Sequence, residues 1–242
     1  MTDLLNLALK AHGGLDRWQK VKTLEARASV GGAIWPLKGW EGHLEDASFT
    51  VDAQHQHVEY RSGAAPGQRS IYEPDRTSIL ADDGQLVGER TSPRASFADH
   101  KVTTPWDSQH IIYFSGYAIW TYLTTPFLFA RPGFEVQEID PWDGEGEVWR
   151  RLRVKFPPDV PSHSAEQTFY FGPDGVLRRH DYSVEIMGVF GGTSSANYAL
   201  EPREFDGLVY PTQRRVYRIG ENNLPLRDNV LVSIDIHDVK AA

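Results

Sequence analysis

The stretch WDSQHIIYFSGYAIWTYLTTPFLFARPGF, from Trp106 to Phe134, is the most apolar and aromatic part of the sequence. A helix is predicted to start at Thr104-Pro105-Trp106-Asp107, with Thr104 or Asp107 as the N-cap, and to end near Leu123, before Thr125-Pro126. Because this helix is apolar on nearly every side, it must be buried all round. Polar residues leave its apolar core short of the ~20 residues that a bilayer requires. The rest of the chain therefore has to wrap around one helix.

Polar and apolar residues alternate in the segments on either side of this helix, as is typical of strands with one solvent-facing side. Before the first of them, Thr2 to Lys22 has the spacing of an amphipathic helix, interrupted at Gly13-Gly14. The predicted strands are Leu24–Val30, His43–Val51, Gln54–Tyr60, Val148–Phe156, Glu166–Phe171, Val176–Ile186, Ser195–Leu200, Leu208–Ile219 and Val230–Asp238.

A helix, a strand meander, a buried helix and a second strand meander thus follow one another without a linker. We predict a mainly β (α+β) fold in which one large, curved antiparallel sheet, a half-barrel or a barrel, wraps around the buried helix, with a further helix at the N-terminus. At 242 residues with 40% hydrophobic content, the chain is expected to form a single domain, residues 1–242.

Two segments of the second meander resemble a known superfamily. FYFGPDGVLRRHDY, Phe169 to Tyr182, is similar to a hairpin with a D-G-x-L turn, and FDGLVYPTQRRVY, Phe205 to Tyr217, is similar to a strand that opens with G-L-x-x-P-T. Both features, and the order of elements, resemble the half-barrel carrier superfamily of the bacterial lipoprotein-localisation proteins. The resemblance implies an incomplete antiparallel barrel, plugged by helices over an apolar cavity.

Composition and motifs narrow the functional classes. The 25 Lys and Arg against 33 Asp and Glu give a net charge of −8, which argues against a nucleic-acid partner. The chain has no cysteine, so thiol nucleophiles, thiolate metal sites and disulfides are excluded. G-x-S-x-G, Walker and H-E-x-x-H motifs are absent, and no cofactor is predicted. The N-terminus MTDLLNLALKAHGG lacks the features of a secretory signal, which predicts a cytoplasmic protein.

Two further segments are candidates for a phosphate site and a metal site. Gly188 to Ser195 is rich in glycine, but it joins two predicted strands and precedes no helix, so it predicts a hairpin loop or a cavity lid rather than a phosphate site. His55, His57 and Glu59 share one strand face and are compatible with a metal ion. Because the opposite face looks like the core side, we expect these histidines to face solvent and predict no metal.

The predicted strand Val176 to Ile186 carries side chains suited to catalysis or ligand binding on its more apolar face, which should point inward. We interpret His180 and Tyr182 on that face as candidate acid-base groups, and Arg178 as a candidate substrate anchor. The alternative is that they are core residues whose polar atoms bond to one another or to the helix. His163, which begins a strand after a proline-rich loop, is expected at the rim of the same space as a further substrate-binding residue.

The predicted helix supplies a second set of candidates near one stripe. His110 is a candidate catalytic group, and the substrate-binding candidates are Tyr113, Tyr117, Trp120 and Thr124. If these side chains face a cavity, their aromatic rings form its walls and their hydroxyl groups point into it. The alternative is that the aromatic rings fill the core.

Three functions remain open at this point. The first is binding or carriage of an apolar small molecule between the curved sheet and the aromatic helix. The second is a metal-independent enzyme, a lyase, isomerase, cyclase or hydrolase, that uses the cavity His, Tyr and Arg residues for acid-base catalysis. The third is a structural or regulatory domain that binds a partner protein. No membrane span is expected in any of the three.

Overall fold

The computed structural model describes residues 1–187 and 194–242, so most of the predicted glycine-rich loop lies outside the described residues. The α-helices in the described residues are α1 (Asp3–Ala11), α2 (Leu15–Trp18), α3 (Ile34–Lys38) and α4 (Ser108–Thr124). The strands of the first half are β1 (Thr23–Gly31), β2 (Ala47–Asp52), β3 (Val58–Ser62), β4 (Gln68–Glu73), β5 (Arg76–Ala81) and β6 (Leu86–Thr91). Those of the second half are β7 (Glu135–Asp143), β8 (Val148–Lys155), β9 (Glu166–Phe171), β10 (Leu177–Tyr182), β11 (Ser195–Phe205), β12 (Leu208–Ile219), β13 (Pro225–Leu226) and β14 (Val232–Ala241).

All fourteen strands of the described chain belong to one antiparallel sheet, in the order β6-β5-β4-β3-β2-β1-β14-β12-β11-β10-β9-β8-β7, with β13 paired to β12. The sheet is open, because β6 and β7 form its two edges and do not pair with each other in the described residues. The predicted half-barrel is thereby confirmed. Strand β14 lies in the middle of the sheet, where it joins the meander β1 to β6 to the meander β7 to β12.

The strong alternation of β1 reflects its place near the middle of the sheet. Leu24, Ala26, Ala28 and Val30 are buried on the inner face. The edge strands β6 and β7 lack this regularity, because their residues are mostly exposed or half-buried. A strand that buries neither face well gives little periodic signal, and the strands β4 to β7 were absent from the predicted set for this reason.

The helix α4 lies inside the curve of the sheet and is buried from Gln109 to Thr124. This confirms the prediction of a helix that is apolar on every side. The N-terminal helices cover a neighbouring part of the core, where Trp18 of α2 stacks on Phe127 with ring centroids 4.4 Å apart. Among the helices of the described chain, none combines the length and the hydropathy needed to cross a bilayer.

A capping box starts α4. The Asp107 side chain accepts hydrogen bonds from the backbone N–H groups of Gln109 and His110, both at 3.0 Å, and the His110 ring accepts one from the Asp107 N–H at 3.1 Å. These bonds satisfy N–H groups that would otherwise lack a partner at a helix start. Asp107 also forms a two-point ion pair with Arg90, at 3.1 and 2.6 Å.

Replacing Asp107 with alanine should lower the free energy of unfolding by about 1 kcal/mol, because an N-cap is lost. The Asp107→Asn variant keeps an acceptor oxygen for the cap and removes only the negative charge that pairs with Arg90, so its loss should be smaller. Urea unfolding at pH 7 measures both. Equal losses in the two variants would show that the ion pair, and not the cap, carries the effect.

Candidate functional site

Two small apolar cavities lie between α4 and the inner face of the sheet. The first measures about 30 Å³ and the second about 20 Å³. Strands β1, β2 and β14 line the first cavity, while β12, β14 and the end of β10 line the second. Phe114, Tyr182 and Val232 line both cavities and therefore form the wall between them. A site of roughly 10–15 Å³ holds one water molecule, so neither cavity admits a long ligand without movement of its walls.

The helix face that borders the first cavity is Phe114, Ser115, Ala118, Ile119 and Tyr122. These positions repeat with helical spacing, and the two smallest side chains, Ser115 and Ala118, lie on the same stripe. Small residues leave room between the helix and the sheet. The gap therefore has a local cause in the sequence.

The neighbouring face of α4 packs tightly against β3, β4 and β5. Gly116 is the point of closest approach: a Cβ atom there would overlap the Cβ and Cγ atoms of Tyr72 on β4. Tyr113 packs on the same tyrosine, with ring centroids 5.7 Å apart. The helix is thus fixed to one side of the curved sheet, and the space lies towards the other side.

A buried group of aromatic and imidazole rings adjoins the cavities. Both ring nitrogens of His163 form hydrogen bonds. Nδ1 lies 3.1 Å from the Tyr117 hydroxyl, and Nε2 lies 2.9 Å from the Tyr122 hydroxyl. Its ring stacks on Tyr182 at a centroid distance of 3.9 Å. The Tyr122 and Tyr182 hydroxyls are 3.0 Å apart. The cluster therefore links α4, the loop before β9 and strand β10.

His180 lies beside this cluster but has its own partners. Its ring stacks on Phe169, with centroids 4.0 Å apart, and its Nε2 lies 2.5 Å from Oε1 of Gln167. Since the Gln167 amide donates to the Ser164 carbonyl, Oε1 is the acceptor and His180 donates. The proton on Nε2 of His180 is therefore held in a hydrogen bond to Gln167.

Burial keeps these histidines neutral. It lowers the pKa of His163 to about 3, with a smaller contribution from the charge of Arg94. Burial also lowers the pKa of His180 well below its usual value, helped by His163 and Arg214. Burial raises the pKa of Tyr122 and Tyr182. At neutral pH the cluster is therefore uncharged, because burial makes the charged forms costly.

Several predicted positions need correction. Arg178 does not face the cavities: a β-bulge between Leu177 and Arg179 shifts the alternation, and Arg178 points outward to Asp174 at 2.8 Å. His163 is not at a rim, since only 1% of its surface is exposed. Tyr182 does line both cavities.

The predicted stripe of α4 also faces elsewhere. His110 caps the helix start and packs on Phe97, with ring centroids 4.6 Å apart, so it is not part of the cavity wall. Trp120 donates from Nε1 to the Asp52 carbonyl, and Thr124 donates to the Trp120 carbonyl. Tyr113 and Tyr117 border neither cavity. Tyr113 packs in the tight interface with β4, whereas Ser115 and Ala118 face the gap beside Phe114 and Tyr122.

Sequence reasoning missed two inner-face residues, Asn197 on β11 and Arg214 on β12. Both are almost fully buried. Arg214 shares a strand face with the buried residues Leu208 and Tyr210, which is a signal for an inner position. The apolar neighbours of Asn197, Ala196 and Tyr198, lie on the outer face and give no such signal. In the described residues, no group of three or more His, Asp or Glu side chains is arranged to hold a metal ion, and this includes His55, His57 and Glu59.

Comparison of the sequence with family models and with curated proteins found no match. Solved structures do match the fold. The LolA superfamily protein NE2245 from Nitrosomonas europaea superposes with a TM-score of 0.54 at 9% identity, covering 99% of this chain and 92% of that one. An outer membrane lipoprotein-sorting protein domain from Vibrio parahaemolyticus gives 0.54 at 7% identity, covering 98% and 91%. A DUF1329 family protein from Desulfovibrio piger gives 0.51 at 13%, covering 98% and 91%.

The chain has the LolA-like half-barrel fold. The resemblance seen in the two strand segments is thereby confirmed at the level of the fold. The predicted cytoplasmic location is wrong, because one of the structures that share this fold is described as an outer membrane lipoprotein-sorting domain. The N-terminal residues on which that prediction rested form the capped helix α1.

Proposed function

We propose that this LolA-like half-barrel binds and carries an apolar small molecule between α4 and the inner face of β1, β2, β12 and β14. The observation that carries the proposal is the apolar gap on that side of the helix, next to a helix face with small side chains. The lipoprotein-sorting description of the Vibrio parahaemolyticus structure agrees with an apolar ligand. A concave, mostly apolar site with a few polar groups is also the usual form of a small-molecule site.

The ligand has to enlarge the space that it enters. The cavities total a few tens of Å³, and three side chains, Phe114, Tyr182 and Val232, separate them. A rotation of Phe114 would join the two into one channel along the helix. The ligand thus replaces the contacts of Phe114 with its own, and its affinity depends on how well it does so.

The enzyme alternative has weaker support. None of His110, His163 and His180 lines either cavity, and His163 uses both ring nitrogens within the cluster. A general base needs a free nitrogen within reach of the substrate. We assign the buried His and Tyr side chains the role of shaping and orienting the polar end of the site.

The test is saturable binding of N-phenyl-1-naphthylamine, a neutral apolar dye, followed by fluorescence. We expect one site per chain in the native protein. Phe114→Ala should bind the dye about tenfold more tightly, because the ligand recovers part of the roughly 3–5 kcal/mol that an emptied Phe site costs.

Phe127→Ala is the matched control. Phe127 is equally well buried but lines neither cavity, so this variant should lose stability without a gain in affinity. The absence of saturable binding in the native protein would contradict the proposal. An equal gain in both variants would assign the dye to loosened packing in general rather than to the gap.

A further inference from the structure

The inner face of the sheet carries a buried cation without a counter-charge. Only 2% of the Arg214 surface is exposed, and no carboxylate of the described chain forms an ion pair with it. Its one hydrogen bond runs from Nη2 to the Tyr122 carbonyl at 3.4 Å, and its guanidinium lies 4.5 Å from the Tyr122 ring centroid. Nε and Nη1 have no partner in the described residues.

The surroundings of Arg214 supply no negative charge. The titratable groups close to it are His12, His180, Tyr122 and Tyr182. Burial keeps the two histidines neutral by lowering their pKa values, and keeps the two tyrosines neutral by raising theirs. Burial also lowers the pKa of Arg214 to about 10, which leaves it charged at neutral pH. A buried, uncompensated charge is strongly unfavourable, so an anion from outside the chain would stabilise this site.

A second unsatisfied group lies next to it. The Asn197 amide, none of whose surface is exposed, lies beside the Tyr122 and Tyr182 hydroxyls, but neither its nitrogen nor its oxygen makes a hydrogen bond of full geometry in the described residues. Asn197 pairs across the sheet with Val216 on β12 and with His180 on β10. Arg214 therefore presents free donors on the inner face, and the weakly bonded amide of Asn197 lies on the adjacent strand of the same face.

The position of this pair relative to the gap is fixed by the strands. Ser195 and Val216 line the second cavity. Asn197 lies directly across the sheet from Val216, and Arg214 lies two residues further along β12 on the same face, about 6–7 Å beyond the cavity lining. The wall residues Tyr122 and Tyr182 separate the pair from the apolar space. The unsatisfied donors thus lie at one end of the apolar gap.

We infer that Arg214, with Asn197, binds the carboxylate of an amphiphilic ligand whose hydrocarbon chain occupies the apolar gap. This inference deepens the proposed function and rests on it. A carboxylate matches the planar donor fork of arginine and its single positive charge, and the Asn197 amide can donate to the same oxygen atoms. A dianionic head group would leave one charge buried without a partner.

The test compares hexadecanoate with hexadecan-1-ol, which has the same chain and a neutral head, as competitors that displace N-phenyl-1-naphthylamine. The native protein should favour hexadecanoate at least about tenfold, as expected for a charge-assisted pair. Arg214→Met should bring the ratio close to one, and Arg214→Lys should restore part of it. Arg215→Met is the matched control, because Arg215 points to the outer face and pairs with Asp235 at 2.7 Å.

The outcomes separate the two proposals. Equal displacement by the acid and the alcohol overturns the carboxylate assignment and leaves an apolar carrier. A failure of both compounds, together with no dye binding, overturns the carrier itself. As a measurement that needs no variant, the carboxyl signal of bound [1-¹³C]hexadecanoate should stay at the position of the ionised acid down to about pH 6, where the protein is still folded, because a nearby cation opposes the rise in pKa that burial alone would cause. A bound signal that moves towards the protonated acid in that range also overturns the assignment.

Discussion

Lowering the pH from 7 to 5 should remove about 6 kcal/mol from the free energy of unfolding. His12, His163 and His180 are buried, and burial is the main cause of their lowered pKa values, about 4 for His12, about 3 for His163 and well below the usual value for His180. In the unfolded chain each has a pKa of about 6.5. Between pH 6.5 and about 4 the unfolded state therefore binds up to three more protons than the folded state, and stability falls as the pH falls.

The size of the effect follows from proton linkage. Each histidine contributes about 2 kcal/mol between pH 7 and pH 5, so three contribute about 6 kcal/mol. This is comparable with the whole stability of many domains. Asp181 acts in the opposite direction, since burial raises its pKa, but it is a single group. We therefore expect the protein to be close to unfolding at pH 5.

Urea unfolding at pH 7, 6 and 5, followed by tryptophan fluorescence, measures the slope. The free energy of unfolding of His163→Gln should depend less steeply on pH than that of the native protein. The difference should reach about 1.4 kcal/mol per pH unit, which corresponds to one proton. The same substitution at His55, whose side chain is 80% exposed, controls for the loss of a histidine as such. Equal slopes in His163→Gln and the native protein would show that His163 does not drive the acid sensitivity.

Gly116→Ala should destabilise the protein by about 3 kcal/mol or more, although alanine is the better helix former. In an exposed helix this change is favourable by about 1 kcal/mol. Here the new Cβ overlaps the Cβ and Cγ atoms of Tyr72, and neither the helix nor β4 can move without disturbing the packing around it. Overpacking of this kind typically costs about 1–3 kcal/mol, and the overlap with atoms close to the Tyr72 backbone places this case at the upper end.

A double-variant cycle tests the cause. Tyr72→Ala alone removes a buried ring and should cost about 3–5 kcal/mol. With Tyr72→Ala already in place, Gly116→Ala should cost little, so the two losses should not add. Gly63→Ala is the control, because a Cβ there meets no atom closer than 3.6 Å. Fully additive losses in the cycle would exclude Tyr72 as the source of the strain.

The architecture was largely predictable from the sequence, because the signals for it are local. The helix α4 follows from a capping residue and a long apolar run, and the inner strands follow from regular alternation. The edge strands were not predictable in this way, since a strand with two partly exposed faces has no clear period.

The site was much less predictable. The extra residue at the bulge after Leu177 reverses the faces of β10 at that point, so Arg178 turns outward while His180 and Tyr182 remain inside. Likewise, helical spacing predicts that Tyr113, Tyr117 and Trp120 face the cavity, whereas the structure places Phe114, Ser115 and Ala118 there. Both errors depend on which neighbours surround an element, and a single sequence does not specify that.

The central position of β14 has a consequence for biosynthesis. Residues 232–241 form the only strand that pairs with both β1 and β12 in the described sheet. Until the ribosome has released them, the nascent chain consists of two unjoined meanders and one helix that is apolar on all sides. The first meander is made before α4 and covers the helix face that packs on β3, β4 and β5. The face towards β12 and β14 stays uncovered until those strands are made, so a chain that stops before residue 232 should expose that apolar face and aggregate.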